Sequence, residues 1–342
     1  MENKKITIKE LAKILGVSVS TVSKALNDSY EISEKTKLKV QKAAKKYHYK
    51  PNRLAVNLKS GKTKNIGVII PNILNTFFTR VLYGIERIAA SEDYNIITCF
   101  SRESYQKEVA NIELLSNGSI DGLIVAIAEE SQIKGDFEHF KEAISGGIPM
   151  VMFDRVTDVI ACDKVVVDDF NNAFNATKYL LDLNCKQVAL ITTIDLLSVG
   201  KLRNKGYKNA MVNSSNNYNE KLVIKSNVDD VLQEILNLLD NEKIDGIFAI
   251  DEDASLAAIK AVKMKGYQIP NDISIIGYAN EKIAKNLTPS LTTVNQHGIT
   301  IGKTATKLLI ERLKNDKEEI VTKIIATNID QRSSTKKGKT LF

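Results

Sequence analysis

The residues with the clearest chemical potential lie near the N-terminus, where hydroxyl, amide and lysine side chains are concentrated. Residues 1–64 carry 16 basic and 5 acidic side chains, a net charge of +11, whereas the remaining residues carry 32 basic and 36 acidic ones. A basic segment joined to a mildly acidic body indicates a module that binds a polyanion such as nucleic acid. A solvated lysine-rich surface is the alternative that charge alone leaves open.

Three short helices would position these side chains. Apolar residues recur at helical spacing over 8–15, and a second helix over 19–26 follows the turn at Gly16 and has Ser18 as its N-cap. A third helix begins at Ser33. Two short helices around a glycine-containing turn predict a helix-turn-helix.

The rest of the sequence has few groups arranged for catalysis or metal binding. No GxGxxG, GxSxG or P-loop motif is present, and no histidine or cysteine set has metal-ligand spacing, so we predict no enzyme activity, no cofactor and no metal. No apolar run is long enough for a membrane helix, and no secretion signal precedes the basic segment, so we predict a cytoplasmic protein without a membrane partner. The cysteines and histidines are scattered: Cys99, Cys162, Cys185, His48, His139 and His297.

From residue 65 onward, apolar strands alternate with amphipathic helices. This alternation predicts parallel sheets with helices on both faces. The segment 120–125 (IDGLIV) recurs as 244–249 (IDGIFA), which favours two similar α/β halves with a cleft between them, although chance similarity of apolar strands is an alternative. The predicted strands are 65–70, 95–100, 121–127, 148–153, 164–168, 187–192, 245–250 and 273–277.

The chain resembles the lactose-repressor family of bacterial transcription regulators over nearly its whole length. The motifs that carry the resemblance are TIKELAKILGVSVSTVSKALNDSYEISEKTK, GIFAIDEDASLAAIKAVKMKGYQIPNDISIIGY and LTPSLTTVNQ. It implies an α/β protein with a three-helix helix-turn-helix head, a hinge, and a periplasmic-binding-protein-like body of two doubly wound parallel-sheet subdomains. The boundaries we expect are 1–50 for the head, 51–64 for the hinge, about 65–163 with 294–324 for the first subdomain, about 164–293 with 325–333 for the second, and 334–342 for a disordered tail.

The resemblance also implies which residues contact DNA. Val19 and Ser20 take base-reading positions, and Lys24 stands where the family usually has arginine. Lysine cannot form the forked contact with guanine that arginine makes, so we expect a modest direct readout. The other expected contacts are hydroxyl or amide side chains at or near helix N-termini, some of which would also serve as helix caps: Ser18, Thr21, Ser23, Asn27, Ser33 and Thr36.

The hinge is expected to form a short helix only when bound to DNA. Asn52 and Arg53 would contact phosphates, Ala55 would permit close approach, and Leu58 would insert into the minor groove. An isolated segment of this length is too short to be a stable helix, so we expect an effector that separates its two ends to unfold it.

The cleft of the body is expected to hold a small effector, a sugar or sugar derivative. The resemblance implies that Arg203 binds ligand oxygens. The alternative is that Arg203 and the neighbouring lysines form a solvated basic surface. Phe77 and Phe78 would stack on the ligand or belong to the core. The remaining candidates follow the ends of strands: Asp154, Asp251 and Asn280.

Two departures from the family pattern concern this cleft. The family often has Asn-Asp and Asp-Asp where this chain has Ile250-Asp251 and Ala279-Asn280, so we do not expect a standard pocket for a free hexose. The alternatives are a larger or less hydroxylated effector, an effector bound from other positions such as Asn280, or no effector. The predicted function is a repressor that binds a near-palindromic operator as a homodimer under effector control. The alternative is a sugar-binding protein without a regulatory role on DNA.

Overall fold

The computed structural model describes residues 6–49, 62–214, 218–314 and 319–336. The chain divides between Thr63 and Lys64 into two compact units, the head and the body. The predicted hinge contacts lie outside the described residues and stay predictions: Asn52, Arg53, Ala55 and Leu58.

The head has the three predicted helices. α1 (Ile8–Leu15) begins with a capping box and ends at Gly16, whose φ of +66° is the left-handed conformation that glycine adopts without strain. α2 (Val19–Leu26) and α3 (Glu34–Lys46) follow. Their shared core consists of Leu11, Ala12, Val22, Ala25, Val40, Ala43 and Ala44.

The body alternates strands and helices as predicted. No helix in the described ranges is both long and apolar enough to cross a bilayer. The strands are β1 (Asn65–Ile70), β2 (Asn95–Phe100), β3 (Gly122–Val125), β4 (Met150–Phe153), β5 (Asp163–Val167), β6 (Val188–Thr192), β7 (Val223–Lys225), β8 (Gly246–Ala249), β9 (Ser274–Gly277), β10 (Thr292–Asn295), β11 (Thr322–Ile325) and β12 (Asn328–Asp330). The helices are α4 (Thr76–Ser91), α5 (Tyr105–Ser116), α6 (Glu129–Lys134), α7 (Glu138–Ser145), α8 (Asp169–Asp182), α9 (Ser198–Val212), α10 (Val231–Asn241), α11 (Glu252–Met264), α12 (Glu281–Asn286) and α13 (Gly298–Lys314).

Two six-stranded sheets organise the body. The first has the order β11-β5-β4-β3-β1-β2 and is parallel throughout. The second has the order β12-β10-β9-β8-β6-β7 and is parallel except for β12. Separate apolar clusters lie on the two faces of each sheet, which confirms the predicted doubly wound subdomains.

The chain crosses between the sheets within one to four residues of the approximate boundaries that the sequence predicts. β5 pairs with β4 and β11, so the first crossing follows Val167 and not residue 163. β10 belongs wholly to the second sheet, which places the return after Asn295, and β11 places the last crossing after Ile325. Strand pairing decides each boundary, and it cannot be read from apolar runs alone.

The predicted disordered tail begins too early. Ser334 and Thr335 are buried, because the Ser334 hydroxyl accepts a hydrogen bond from the Thr292 amide and donates one to the Ile275 carbonyl. The second subdomain therefore includes residues 334–336. Residues 337–342 lie outside the described part of the chain.

The repeated Asp-Gly motif has the same place in both sheets. Asp121 accepts a hydrogen bond from the Lys64 amide just before β1, and Asp245 accepts bonds from the amides of Lys186 and Gln187 just before β6. β3 and β8, which follow these aspartates, each lie beside the first strand of their sheet. The repeated Asp-Gly motif therefore has the same structural role in both sheets: its aspartate accepts hydrogen bonds from backbone amides that precede the first strand.

Candidate nucleic-acid interface and ligand cleft

The second helix of the head presents one polar and one apolar side. Val22 and Ala25 are buried against the other helices. The outward side carries the predicted readers Val19, Ser20 and Lys24, all exposed, with Asn27 exposed at the C-cap. Of the remaining predicted contacts in the described head, Ser18 and Ser33 are exposed, and Thr21, Ser23 and Thr36 are half-buried.

The N-termini of α2 and α3 are both capped by serine. The Ser18 hydroxyl accepts a hydrogen bond from the Thr21 amide at 3.0 Å, and the Ser33 hydroxyl is paired in the same way with Thr36. Both caps are exposed, so the amides of each first turn can reach a phosphate while the serine keeps its structural role. Capping, the structural alternative, is therefore observed, and phosphate contact stays a prediction.

Two lysines of the head have acidic partners. Lys24 on α2 forms an ion pair and hydrogen bond with Glu31 in the loop before α3, and both side chains are about half exposed. Lys37 is buried and bonded to Asp28 at 2.7 Å and Glu34 at 2.8 Å. The carboxylates hold the pKa of Lys37 above its usual value. Lys37 thus fixes the start of α3, whereas Lys24 stands on the exposed side.

A cleft between the two sheets contains all six predicted effector residues. Its cavity volume is about 110 Å³, several times the ~10–15 Å³ that one water molecule needs. Its lining includes Phe77, Phe78, Asp154, Arg203, Asp251 and Asn280.

Arg203 is held at the cleft by groups of its own subdomain. It is 4% exposed, and its Nε donates to the Asp169 carboxylate at 2.7 Å while a terminal nitrogen donates to the Ile250 carbonyl at 2.8 Å. The guanidinium carbon lies 4.0 Å from the centre of the Tyr278 ring. Because desolvation is offset by Asp169 and other negative groups, the pKa of Arg203 is raised and the group stays charged. The alternative, that Arg203 belongs to a solvated basic surface, is therefore wrong.

Two polar groups at the cleft lack a protein partner among the described residues. The Asp154 carboxylate is nearly buried and has no hydrogen bond or ion pair. Burial and the nearby charge of Asp169 raise its pKa to about 6. The Tyr278 hydroxyl is buried without a hydrogen-bond partner. Buried polar groups are nearly always satisfied, so these two point to a ligand or to solvent in the cleft.

The other predicted effector residues differ in whether their side chains are already bonded within the protein or are available to a ligand. Asp251 caps α11 and accepts bonds from the amide and hydroxyl of Thr193, which leaves its carboxylate largely occupied. Phe78 is a core residue that packs on Phe153, whereas Phe77 is half-buried. The Asn280 side chain caps α12 through its oxygen. Of these residues, Phe77 and the amide nitrogen of Asn280 are the groups best placed to contact a bound ligand.

Sequence reasoning missed several lining residues. Tyr278 directly follows β9, at the carboxyl edge of its sheet, and this position could have identified it. Arg155, two residues after β4, could have been identified in the same way, whereas Arg80 lies on α4 without such a signal. Within the ranges that the structure describes, no group of three or more histidine, cysteine or acidic side chains could hold a metal ion.

Hydrogen bonds join the two subdomains across the cleft. The Gln132 side chain exchanges two bonds of 3.0 Å with the amide and hydroxyl of Ser198. The Thr76 hydroxyl donates to Glu252 at 2.8 Å, and Glu252 also accepts a bond from the Asn280 amide. The subdomains are thus linked around the cavity by contacts that a rotation would break.

Comparisons with known proteins agree with this architecture. Residues 7–52 match the family described as bacterial regulatory proteins, lacI family, and residues 177–335 match the periplasmic binding protein-like domain. The chain is 30% identical to the HTH-type transcriptional repressor PurR of Vibrio campbellii, over 92% of this chain and 93% of that protein. It is 29% identical to the ribose operon repressor of Haemophilus influenzae, over 93% and 95% of the two chains.

Solved structures show the same fold. The lac repressor dimer bound to operator and the anti-inducer ONPF superposes with a TM-score of 0.85 at 19% identity, covering 97% of this chain and 99% of that one. A lacI-family regulator from Enterococcus faecium with bound ribose has a TM-score of 0.70 at 26% identity, covering 79% and 98%. At 19% identity, the similarity to the lac repressor dimer is evidence for the fold alone.

Proposed function

Because this chain belongs to the lacI family of bacterial transcription regulators, we propose that it represses transcription as a homodimer on a near-palindromic operator. We further propose that a small neutral ligand, a sugar or sugar derivative, binds in the cleft and controls DNA binding. Its named relatives are transcriptional repressors and not enzymes. The helix-turn-helix match disfavours a sugar-binding protein without a role on DNA.

The exposed side of α2 supports the DNA proposal. A recognition helix must place small or polar side chains where they reach base edges and keep its apolar side on the head. Val19, Ser20 and Lys24 satisfy the first condition, and the burial of Val22 and Ala25 satisfies the second. Because one such head buries little surface, two heads on a two-fold operator give the required affinity.

The unpartnered Asp154 and Tyr278 carry the ligand proposal. A carboxylate accepts hydrogen bonds, so it suits a ligand hydroxyl, and the buried Arg203 beside it can donate to an adjacent ligand oxygen. Burial raises the pKa of Asp154 to about 6, and when this carboxyl is ionised its charge is balanced in part by Arg203 and Arg155 in the same cleft, which favours a ligand without a net charge. Phe77 supplies an apolar face. A neutral polyhydroxylated molecule fits these groups best.

Replacing Tyr278 by phenylalanine separates ligand binding from folding. The lost hydroxyl has no protein partner, so we expect the free protein to keep or slightly raise its melting temperature. The ring contact with Arg203 is retained. We expect a roughly tenfold loss of ligand affinity, as for one hydrogen bond. The probes are D-ribose, cellobiose and a panel of neutral pentoses, hexoses and disaccharides, tested by thermal shift and calorimetry.

Tyr218→Phe is the matched control for this experiment. Tyr218 packs on Tyr207 away from the cleft, so its variant should bind each sugar as the wild type does. Equal affinity of Tyr278→Phe and wild type for a bound sugar would contradict the assignment of Tyr278. Absence of a shift with every neutral sugar, together with one caused by an anionic metabolite, would contradict the proposed ligand class.

Selection of binding sites from random duplex DNA tests the DNA proposal directly. The full chain at near-physiological salt should recover a two-fold-symmetric site, because non-specific attraction is then weakened. We expect a flexible pyrimidine–purine step at its centre, where Leu58 of each protomer would enter the minor groove. Recovery of a single asymmetric half-site would contradict the dimer. Repeating the selection with a metabolite pool shows whether the ligand promotes or opposes binding.

A further inference from the structure

On the side of α2 that is expected to read bases, Lys24 is already paired with an acidic side chain, Glu31, which partly neutralises its charge. Lys24 lies on the exposed side of the helix, and Glu31 lies in the loop that leads to α3. The two side chains form an ion pair and a hydrogen bond, and each keeps close to half of its surface exposed. A negative charge thus stands beside the group that is expected to meet DNA.

This pair contributes little to the fold. Ion pairs between exposed side chains are weak, because water and salt screen them and two long side chains lose freedom. The paired lysine that organises the head is Lys37, which is buried between Asp28 and Glu34. Lys24 and Glu31 have no comparable burial. A carboxylate on the surface that is expected to meet DNA also opposes binding, because it repels the phosphates.

We propose that Glu31 is a specificity determinant that prevents Lys24 from binding phosphates indiscriminately and reserves it for base edges. This inference rests on the proposed DNA-binding function. A phosphate that takes Lys24 brings its negative charge close to Glu31, and the two repel each other. The guanine acceptors O6 and N7 are neutral and cause no such repulsion.

The donor count of lysine permits this arrangement. An ammonium group has three N–H donors, so one can remain on Glu31 while the others reach guanine. The free carboxylate oxygen of Glu31 can accept a hydrogen bond from the cytosine amino group. The Lys24–Glu31 pair therefore suits the edge of a G·C pair better than it suits a phosphate. Glu31 lowers the affinity for DNA in general and raises the preference for the correct site.

The test compares specific and non-specific binding of the full chain. The probes are the duplex recovered by selection with the wild type and a scrambled duplex of equal length, titrated by fluorescence anisotropy over a series of KCl concentrations. The variants are Glu31→Gln, Lys24→Gln and the double substitution. Glu10→Gln is the matched control, because it removes a carboxylate from the same head at the capping box of α1, away from the predicted DNA contacts, and glutamine can keep that box. Circular dichroism checks that each variant is folded.

We expect Glu31→Gln to bind the scrambled duplex roughly three- to tenfold more tightly and to steepen its salt dependence by about 0.9, the slope of one added phosphate contact. The ratio of specific to non-specific affinity should fall. Both changes should disappear in the Lys24→Gln background. Equal effects of Glu31→Gln and Glu10→Gln, or effects that persist without Lys24, would overturn the inference while leaving the DNA-binding function intact. Absence of DNA binding by the wild type would overturn that function itself.

Discussion

Replacing Arg203 by alanine should lower the free energy of unfolding of the body by about 3–5 kcal/mol and abolish ligand binding. The first effect arises because the substitution leaves the Asp169 carboxylate buried without its partner. It also removes the bond to the Ile250 carbonyl and the contact with the Tyr278 ring. Urea unfolding followed by circular dichroism measures the loss, since the chain has no tryptophan for fluorescence.

The neighbouring Lys205 provides the control for Arg203. It is an exposed cation on the same helix α9, so Lys205→Ala should change the stability by no more than about 0.5 kcal/mol. Arg203→Lys should recover part of the stability, because it keeps the charge but not the two-point contact. If Arg203→Ala unfolded at the same urea concentration as Lys205→Ala, the buried ion pair would not hold the second subdomain as we describe.

Replacing Asp154 by asparagine should stabilise the body at neutral pH and weaken ligand binding. Burial raises the pKa of this carboxyl from 3.8 in the unfolded chain to about 6 in the folded one. Between these values the folded state holds a proton that the unfolded state has lost, so the wild type loses stability as the pH rises from about 4 to 6. Above pH 6 the accumulated loss is on the order of 3 kcal/mol.

Asparagine suits this test for two reasons. It cannot ionise, so the difference in stability between variant and wild type should be small near pH 4, grow up to about pH 6 and stay constant above it. It also tolerates the left-handed backbone of Asp154, whose φ is +58°. Asp158→Asn removes a fully exposed carboxylate that pairs with the largely buried Lys164, and it should keep the pH profile of the wild type. A pH-independent difference for Asp154→Asn would contradict the raised pKa.

Most of the fold could be predicted because the central strands are continuous apolar runs. The interior strand 65–70 was predicted with the bounds that the structure has, and so was 95–100, an edge strand whose sequence is nonetheless largely apolar. The strands that were missed lie near the sheet edges: Thr322–Ile325 is mostly exposed, and Val223–Lys225 has only three residues. Such strands are defined by hydrogen bonds to a neighbour, and no apolar run marks them.

The sequence predicted which residues lie at the cleft, but not which of them already have hydrogen-bond partners in the protein. The rule that ligands bind at the carboxyl ends of parallel strands led to Asp154 and Asp251, and both line the cavity. The same rule does not reveal that Asp251 is occupied by Thr193 whereas Asp154 is unpartnered. Likewise, the pairing of Lys24 with Glu31 depends on how a loop folds back on α2. These contacts arise from the tertiary structure, and they decide which residues are available to a ligand or to DNA.

The three crossings between the sheets have a consequence for how the protein is made on the ribosome. β1 to β5 of the first sheet emerge early, but the strand that covers β5, Thr322–Ile325, is synthesised only after β6 to β10 of the second sheet. During synthesis the first sheet therefore exposes an unpaired edge at Asp163–Val167, which is a hazard for aggregation. A chain that ends before residue 322 would keep that edge, so β11 and β12, the last of the described strands to be made, complete the two sheets of the body one directly after the other.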